Sequence, residues 1–188
     1  TKKSDYLTDV ITDGALKFLD TVEDSENPFY LSVHYTAPHS PWDKGNHPDA
    51  VLNLYEDCSF KSCPEQEVHP WQVNSAPVGV GERRKENLQG YFAAVTAMDA
   101  GVRRLIDRLD ASGIRENTLI VFTSDNGMNM GHHGVWGKGN GTYPQNMYDS
   151  SVKVPFIVSQ LGRIPEGKVE VGLFSHYDFF PTLLDYLN

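Results

Sequence analysis

Two apolar runs of strand length constrain this chain most, because each follows a helical pattern and each stops on a polar turn. Residues 4 to 20 carry Leu7, Val10, Ile11, Ala15, Phe18 and Leu19 at helical spacing, with Ser4 or Asp5 placed to cap the helix. The first run is Pro28-Phe29-Tyr30-Leu31-Ser32-Val33-His34-Tyr35, rich in aromatic and β-branched residues. Pro38 and Pro41 end it, since proline cannot donate to a ladder. Helical spacing returns over residues 84 to 112 through Leu88, Tyr91, Val95, Met98, Val102, Leu105, Ile106 and Leu109, and Gly113 is a natural stop. The second run, Thr118 to Thr123, then ends on Ser124-Asp125-Asn126-Gly127. Val154 to Val158 reads as a third strand, and residues 178 to 187 as a further helix with Pro181 in its first turn. Strands alternating with long helices predict an α/β fold, a sheet with helices packed on its faces. Ligands in such sheets collect beyond the carboxyl ends of the strands. The turns at His39 and Asp125 both lie there.

Residues 43 to 83 interrupt the alternation with a long loop excursion of little regular structure, holding Pro48, Pro64, Pro70, Pro77 and both cysteines. Loops of this length serve a site or are mobile. Cys58 and Cys63 fit a local disulfide and fit two free thiols; two thiols without a CxxC pattern do not make a zinc site. The net charge of −9 does not attract nucleic acid or anionic lipid. It also means that an anion site would need local cations or a metal. No run of about 18 apolar residues is present, so no membrane span is visible.

The chemistry-bearing residues sit at the turns. Asp125 and Asn126 place a carboxylate and a carboxamide side by side, hard oxygen ligands suited to calcium or magnesium. Gly127 would allow a positive φ and a sharp turn. A strand-ending Asp-Asn-Gly turn also exists without any metal, and two oxygens fall short of the six to eight or so that calcium takes. Lys138 stands in Trp136-Gly137-Lys138-Gly139-Asn140-Gly141, where flanking glycines admit a ligand and the ammonium offers a point charge. The stretch is not a phosphate P-loop, and a surface lysine explains it as well. His39, in Pro38-His39-Ser40-Pro41, is a candidate hydrogen-bond donor or general acid. Of the adjacent His132 and His133, at most one is expected to face a site. His34 is expected to be packed or hydrogen-bonded within its strand, and His176 to be structural. Asn140-Gly141-Thr142 matches a glycosylation sequon, whose place beside Lys138 argues against occupancy. Trp42 and Trp71 are candidate sugar or aryl platforms, with packing beneath a loop the alternative.

In order and spacing these segments resemble the sulfatase family of the alkaline phosphatase superfamily. Pro28-Phe29-Tyr30-Leu31 leading to Ala37-Pro38-His39-Ser40-Pro41-Trp42 is similar to the family's strand and histidine loop. The helix from Tyr91 to Leu109, the strand Asn117 to Gly127 and the segment Ser175 to Asp185 each resemble their family counterparts. The resemblance implies an alkaline-phosphatase-like mixed sheet flanked by helices. It implies Asp125 and Asn126 as two ligands of a divalent ion, usually Ca2+ with Mg2+ possible. Lys138 would be the sulfate-contacting lysine and His39 the histidine holding a sulfate or leaving-group oxygen. His133 falls where many members have the histidine of Gly-Glu-His-Gly, but the stretch here is Gly131-His132-His133-Gly134 and carries over no role.

The implied reaction is hydrolysis of a sulfuric ester by a formylglycine made in a C/S-x-P-x-R motif, on a sulfated carbohydrate or an aryl sulfate. Here the chain departs from the pattern. Cys58 is followed by Ser-Phe-Lys-Ser and Cys63 by Pro-Glu-Gln-Glu, and no Asp-Asp pair ends a strand. Both features belong to the family's first half, so residues 1 to 188 are expected to be a truncated catalytic domain with the formylglycine upstream. Such a piece would be inactive alone, would bind calcium weakly, and would self-associate through uncovered apolar faces. The alternatives are a phosphodiester or phosphonate hydrolase of the same superfamily, and a non-catalytic remnant binding sulfated ligands. Asp-His at the position of Asp125-Asn126 would mark a two-metal member. Periplasmic, secreted or lysosomal location would be typical of the family.

Overall fold

The computed structural model describes residues 6–23 and 25–187. The expected caps Ser4 and Asp5 lie outside the described residues. Helix α1 spans Leu7–Val22, and its buried stripe is Thr8, Thr12, Ala15 and Leu19. The stripe is rotated from the apolar one expected: Leu7 and Val10 are exposed. Small side chains explain the rotation, since Thr12 can satisfy its hydroxyl on the Thr8 carbonyl at 2.8 Å and share it with Tyr35 Oη at 2.9 Å. This face packs on the long helix α3, Glu82–Ala111. Arg104 with Asp13, and Arg108 with Asp20 and Glu23, rim the contact. Exposed ion pairs of this kind add little, so the packed stripe holds the two helices together.

Residues 28–35 are extended and alternate in exposure, with Phe29, Leu31, Val33 and Tyr35 turned inward. They form no strand, however, because no described segment hydrogen-bonds to their backbone, and a ladder needs a partner. His34 is exposed rather than packed, its Nε2 2.8 Å from Ser32 Oγ.

The excursion is more ordered than its sequence suggests. It holds a 3-10 turn at Lys44–Asn46, the short helix α2 at Asp49–Leu52 and a second turn at Asn53–Tyr55. It also supplies Phe60 and Cys63 to the core. Trp42, Phe60 and Cys63 pack with Leu88 of α3 and with Met130 and Trp136. The cysteines are free thiols, Cys58 exposed and Cys63 buried, and burial pushes the Cys63 thiol pKa up.

Strand β1 is Ile120–Thr123, and β2, Asn129–Met130, pairs antiparallel with β3, Trp136–Gly137. After the four-residue helix α4, Asp149–Val152, strand β4, Phe156–Ser159, runs antiparallel to β1 with Thr123 opposite Phe156. Helix α5, His176–Leu187, closes the described chain. Ser175 caps it: its N–H and hydroxyl both donate to Asp178 Oδ2, at 2.8 and 3.1 Å. The helix therefore starts two residues earlier than expected, and Pro181 falls inside it rather than in the first turn. No described helix is long and apolar enough to cross a membrane.

Candidate active site

Strand β1 delivers Ser124-Asp125-Asn126-Gly127 to one end of the β1–β4 pair. Ser124 Oγ donates to the Asn126 carbonyl at 3.0 Å, which folds the turn on itself. Asn126 Nδ2 donates to the Gly127 carbonyl at 2.8 Å, so the amide nitrogen is engaged and Oδ1 is the atom left for a cation. Asp125 is exposed and Asn126 half-buried. Gly127 is required for a different reason from the one expected. Its φ is not positive. A Cβ there would instead sit 2.2 Å from the Ser150 carbonyl oxygen, because Gly127 N–H donates to the Ser151 carbonyl at 3.0 Å.

That contact opens a polar network that the sequence did not reveal. Asn129 is fully buried. Its amide donates to Ser151 Oγ at 2.6 Å and to the Gly137 carbonyl at 3.0 Å, and it accepts from Ser150 Oγ. Ser151 Oγ donates to Asn146 Oδ1 at 2.6 Å. Asn146 Nδ2 in turn reaches the carbonyls of Lys138 at 3.2 Å and Gly139 at 3.1 Å. The Asp125-Asn126 turn and the Lys138 segment are thus mounted on one frame of amides and hydroxyls, with Asn129 and Ser151 buried and Asn146 and Ser150 half-buried. Buried polar groups persist only when partnered, and here each partners the next. A polar residue between two strand-like runs reads as a surface position in sequence, which is why Asn129 and Asn146 escaped notice.

The structure does not draw His39 into this network among the described residues. His39 is exposed, and its Nδ1–H donates to the Ser40 carbonyl at 2.9 Å, which leaves Nε2 for a ligand. The adjacent histidines diverge. His132 accepts from Met130 N–H at Nδ1, 3.4 Å, and donates from Nε2 to the Ser62 carbonyl at 2.9 Å, pinning the excursion to the β2–β3 turn. His133 is exposed and stacks on Tyr148 with ring centroids 4.0 Å apart. His176 is the exposed first residue of α5. The tryptophans also part: Trp42 is 2% exposed in the core, so its platform role falls, whereas Trp71 is 58% exposed.

Asp125 and Asn126 suit a hard cation by the chemistry of their oxygens. Among the described residues no three His, Cys, Asp or Glu side chains converge on one point. The arrangement therefore offers a cation two adjacent ligands, with a lysine on the same frame to meet an anion.

The sulfatase family model matches residues 1–188, and the chain belongs to that family. It is similar to human iduronate 2-sulfatase, 31% identical over 91% of this chain and 34% of that protein. It is also similar to an ulvan-active sulfatase of Formosa agariphila, 30% identical over 97% of this chain and 33% of that one. The crystal structure of yidJ from Bacteroides fragilis, a protein assigned to the sulfatases, superposes with a TM-score of 0.76. That match is 27% identical and covers 95% of this chain and 36% of the other. The fold is the alkaline-phosphatase-like α/β fold, and the chain spans about a third of the length of the relatives it matches.

Proposed function

We propose that this chain supplies the metal- and sulfate-contacting part of a sulfuric ester hydrolase site acting on sulfated carbohydrate. The observation that carries the reading is the shared frame of Asn129, Ser151 and Asn146, which fixes the Asp125-Asn126 turn relative to Lys138. Family membership and the sugar-directed names of the relatives, iduronate 2-sulfatase and ulvan-active sulfatase, support it.

In this reading Asp125 and Asn126 hold a divalent ion, calcium first, which when bound would neutralise charge on the sulfuryl oxygens. Lys138 places a point charge against a sulfate oxygen. The preorganised frame means that little reorganisation is needed as charge develops there. His39 donates to the leaving-group oxygen through Nε2. To do so both ring nitrogens must carry a hydrogen, because Nδ1–H already serves the Ser40 carbonyl. The nucleophile, a formylglycine from a C/S-x-P-x-R motif, is assigned outside these 188 residues.

The sequence upstream of Thr1 tests this. An in-frame C/S-x-P-x-R preceded by Asp-Asp is expected, and a full gene without it overturns the catalytic reading in favour of a non-catalytic remnant. Joined to that sequence, the protein should hydrolyse a sulfated sugar, and Asp125→Ala or Lys138→Ala should abolish turnover. The isolated chain should show no turnover of an aryl sulfate and only weak calcium binding. Submicromolar calcium binding by the chain alone overturns the divided metal site. Asn126, where a two-metal phosphodiesterase would carry histidine, favours the sulfate ester over the phosphodiester alternative.

A further inference from the structure

Of the three tryptophans, Trp42 and Trp136 are buried at 2% and 3% exposure, while Trp71 presents 58% of its surface. An indole left in water has given up its burial. Yet Trp71 is not loose. Its carbonyl accepts from Tyr143 N–H at 3.0 Å, and Val73 N–H donates to the Gly141 carbonyl at 3.0 Å. Between them the Gln72 side chain brackets Trp136, accepting from its N–H at 2.8 Å and donating to its carbonyl at 2.9 Å. These bonds hold the backbone that carries the indole in a fixed register with the Lys138–Gly141 segment.

Trp71 lines an open pocket of ≈ 370 Å³ together with His69, Gln145, Asn146, Met147 and Tyr148, a size suited to one small ligand. In a chain of net charge −9, no residue lining this pocket is Asp or Glu. One wall is Asn146, whose amide reaches the Lys138 carbonyl. Another is Tyr148, whose ring stacks with His133. His69 adds a donor: its Nδ1 accepts from Trp71 N–H at 3.1 Å, so the neutral ring carries its hydrogen on Nε2.

We propose that Trp71 is the platform of a substrate subsite, stacking under the pyranose ring of a sulfated sugar whose sulfate lies toward Lys138. An apolar plate, a ring-edge donor, carboxylate-free walls and a lysine on the adjoining frame match a flat, hydroxylated, anionic ligand. The proposal rests on the sulfate-ester reading for the orientation of the sugar, and on the pocket alone for the stacking.

Fluorescence tests it, because the other two tryptophans are buried and a ligand-dependent change reports on Trp71. The chain is titrated with glucosamine 6-sulfate and with unsulfated glucosamine, with calorimetry in parallel. Both should perturb the emission, the sulfated sugar at lower concentration. Trp71→Ala should weaken binding of both by about tenfold, while Trp71→Tyr retains most of it. Lys138→Ala should weaken only the sulfated sugar, bringing it to the level of glucosamine. Unchanged affinity in Trp71→Ala, or no binding of either sugar, overturns the subsite. Loss in Lys138→Ala with none in Trp71→Ala overturns the subsite and leaves the sulfate reading intact. Equal binding of both sugars that depends on Trp71 but not on Lys138 keeps the stacking and overturns the orientation.

Discussion

Gly127→Ala puts the close approach at the candidate site to a quantitative test. The added Cβ would meet the Ser150 carbonyl oxygen at 2.2 Å and the carbonyl carbons of Ser151 and Ser150 at 2.8 and 2.9 Å. An ordinary carbon–oxygen contact is about 3.3 Å, so the turn must recoil from residues 150–151 by about 1 Å. All three obstacles are backbone, so no side chain can swing aside. The recoil stretches the 3.0 Å bond from Gly127 N–H to the Ser151 carbonyl, which is worth about 1 kcal/mol. Overpacking adds about 1–3 kcal/mol. The lower chain entropy of unfolded alanine offsets only about 0.4–1 kcal/mol. The net loss is about 2–3 kcal/mol, or on the order of 5–10 °C in Tm for a chain of this size.

The control is Gly14→Ala in α1, where a Cβ meets nothing within 4 Å. Helix propensity should make that variant more stable by about 0.5–1 kcal/mol. Urea unfolding, followed by far-ultraviolet circular dichroism at low protein concentration, reads both. The same chemical change should move the midpoint in opposite directions. Gly127→Ala at or above the wild-type midpoint would refute the close approach, and with it the argument for how Asn126 is placed.

Three further outcomes follow from single features. Asn129→Leu leaves the Gly137 carbonyl and the Ser150 and Ser151 hydroxyls without their buried partner, and should cost about 2–4 kcal/mol in urea unfolding; an unchanged midpoint would dismiss the frame. Burial holds the His47 pKa down, against the opposing effects of the Pro41 carbonyl and Asp43, with Tyr6 Oη on the other ring nitrogen. The unfolded chain then takes up the proton first, so this contribution is full above about pH 6.5 and is lost as pH falls through the lower folded value. His47→Gln should flatten that acid-side slope of the unfolding midpoint, and an identical slope would remove His47 as its cause. Tyr177, Phe180, Leu184 and Leu187 leave α5 apolar in water, so the isolated chain should associate as concentration rises in sedimentation; a monomer stable across the range would contradict this.

What the sequence discloses and what it hides divide along the range of the interactions. The ends of α3 and the strand-to-turn passage through Asp125 were legible, because helical spacing, a terminal glycine and an apolar run are local signals. Partnership was not. Residues 28–35 have strand composition and alternation, but composition does not supply a neighbour. The buried stripe of α1 runs through Thr8 and Thr12, polar residues that pass for surface positions, and the Thr12 hydroxyl is satisfied locally on the Thr8 carbonyl. Trp42 and Trp71 look alike in a loop-rich sequence, and only the tertiary contacts separate a core residue from an exposed plate. At the site, Asp125, Asn126 and Lys138 were visible as chemistry, but the amides that relate them were not.

A carboxylate, an amide oxygen and an ammonium can stabilise a developing anion only if their spacing is set beforehand, since mobile groups would reorganise as the charge forms. Asp125 and Asn126 follow a strand, while Lys138 sits between glycines in a segment of little regular structure. Left to itself, the lysine segment would wander relative to the strand end. The Asn129–Ser151–Asn146 chain removes that freedom by bonding to the backbone carbonyls of Gly137, Lys138 and Gly139 in succession. The same segment is clamped from its other side by residues 71–73, which carry the exposed indole. Asp125 and Asn126, Lys138 and Trp71 are thereby tied to a single stretch of backbone. A substitution at Asn129, which is assigned no contact with substrate, should therefore disturb metal binding and sugar binding together, whereas Trp71→Ala should disturb the sugar alone.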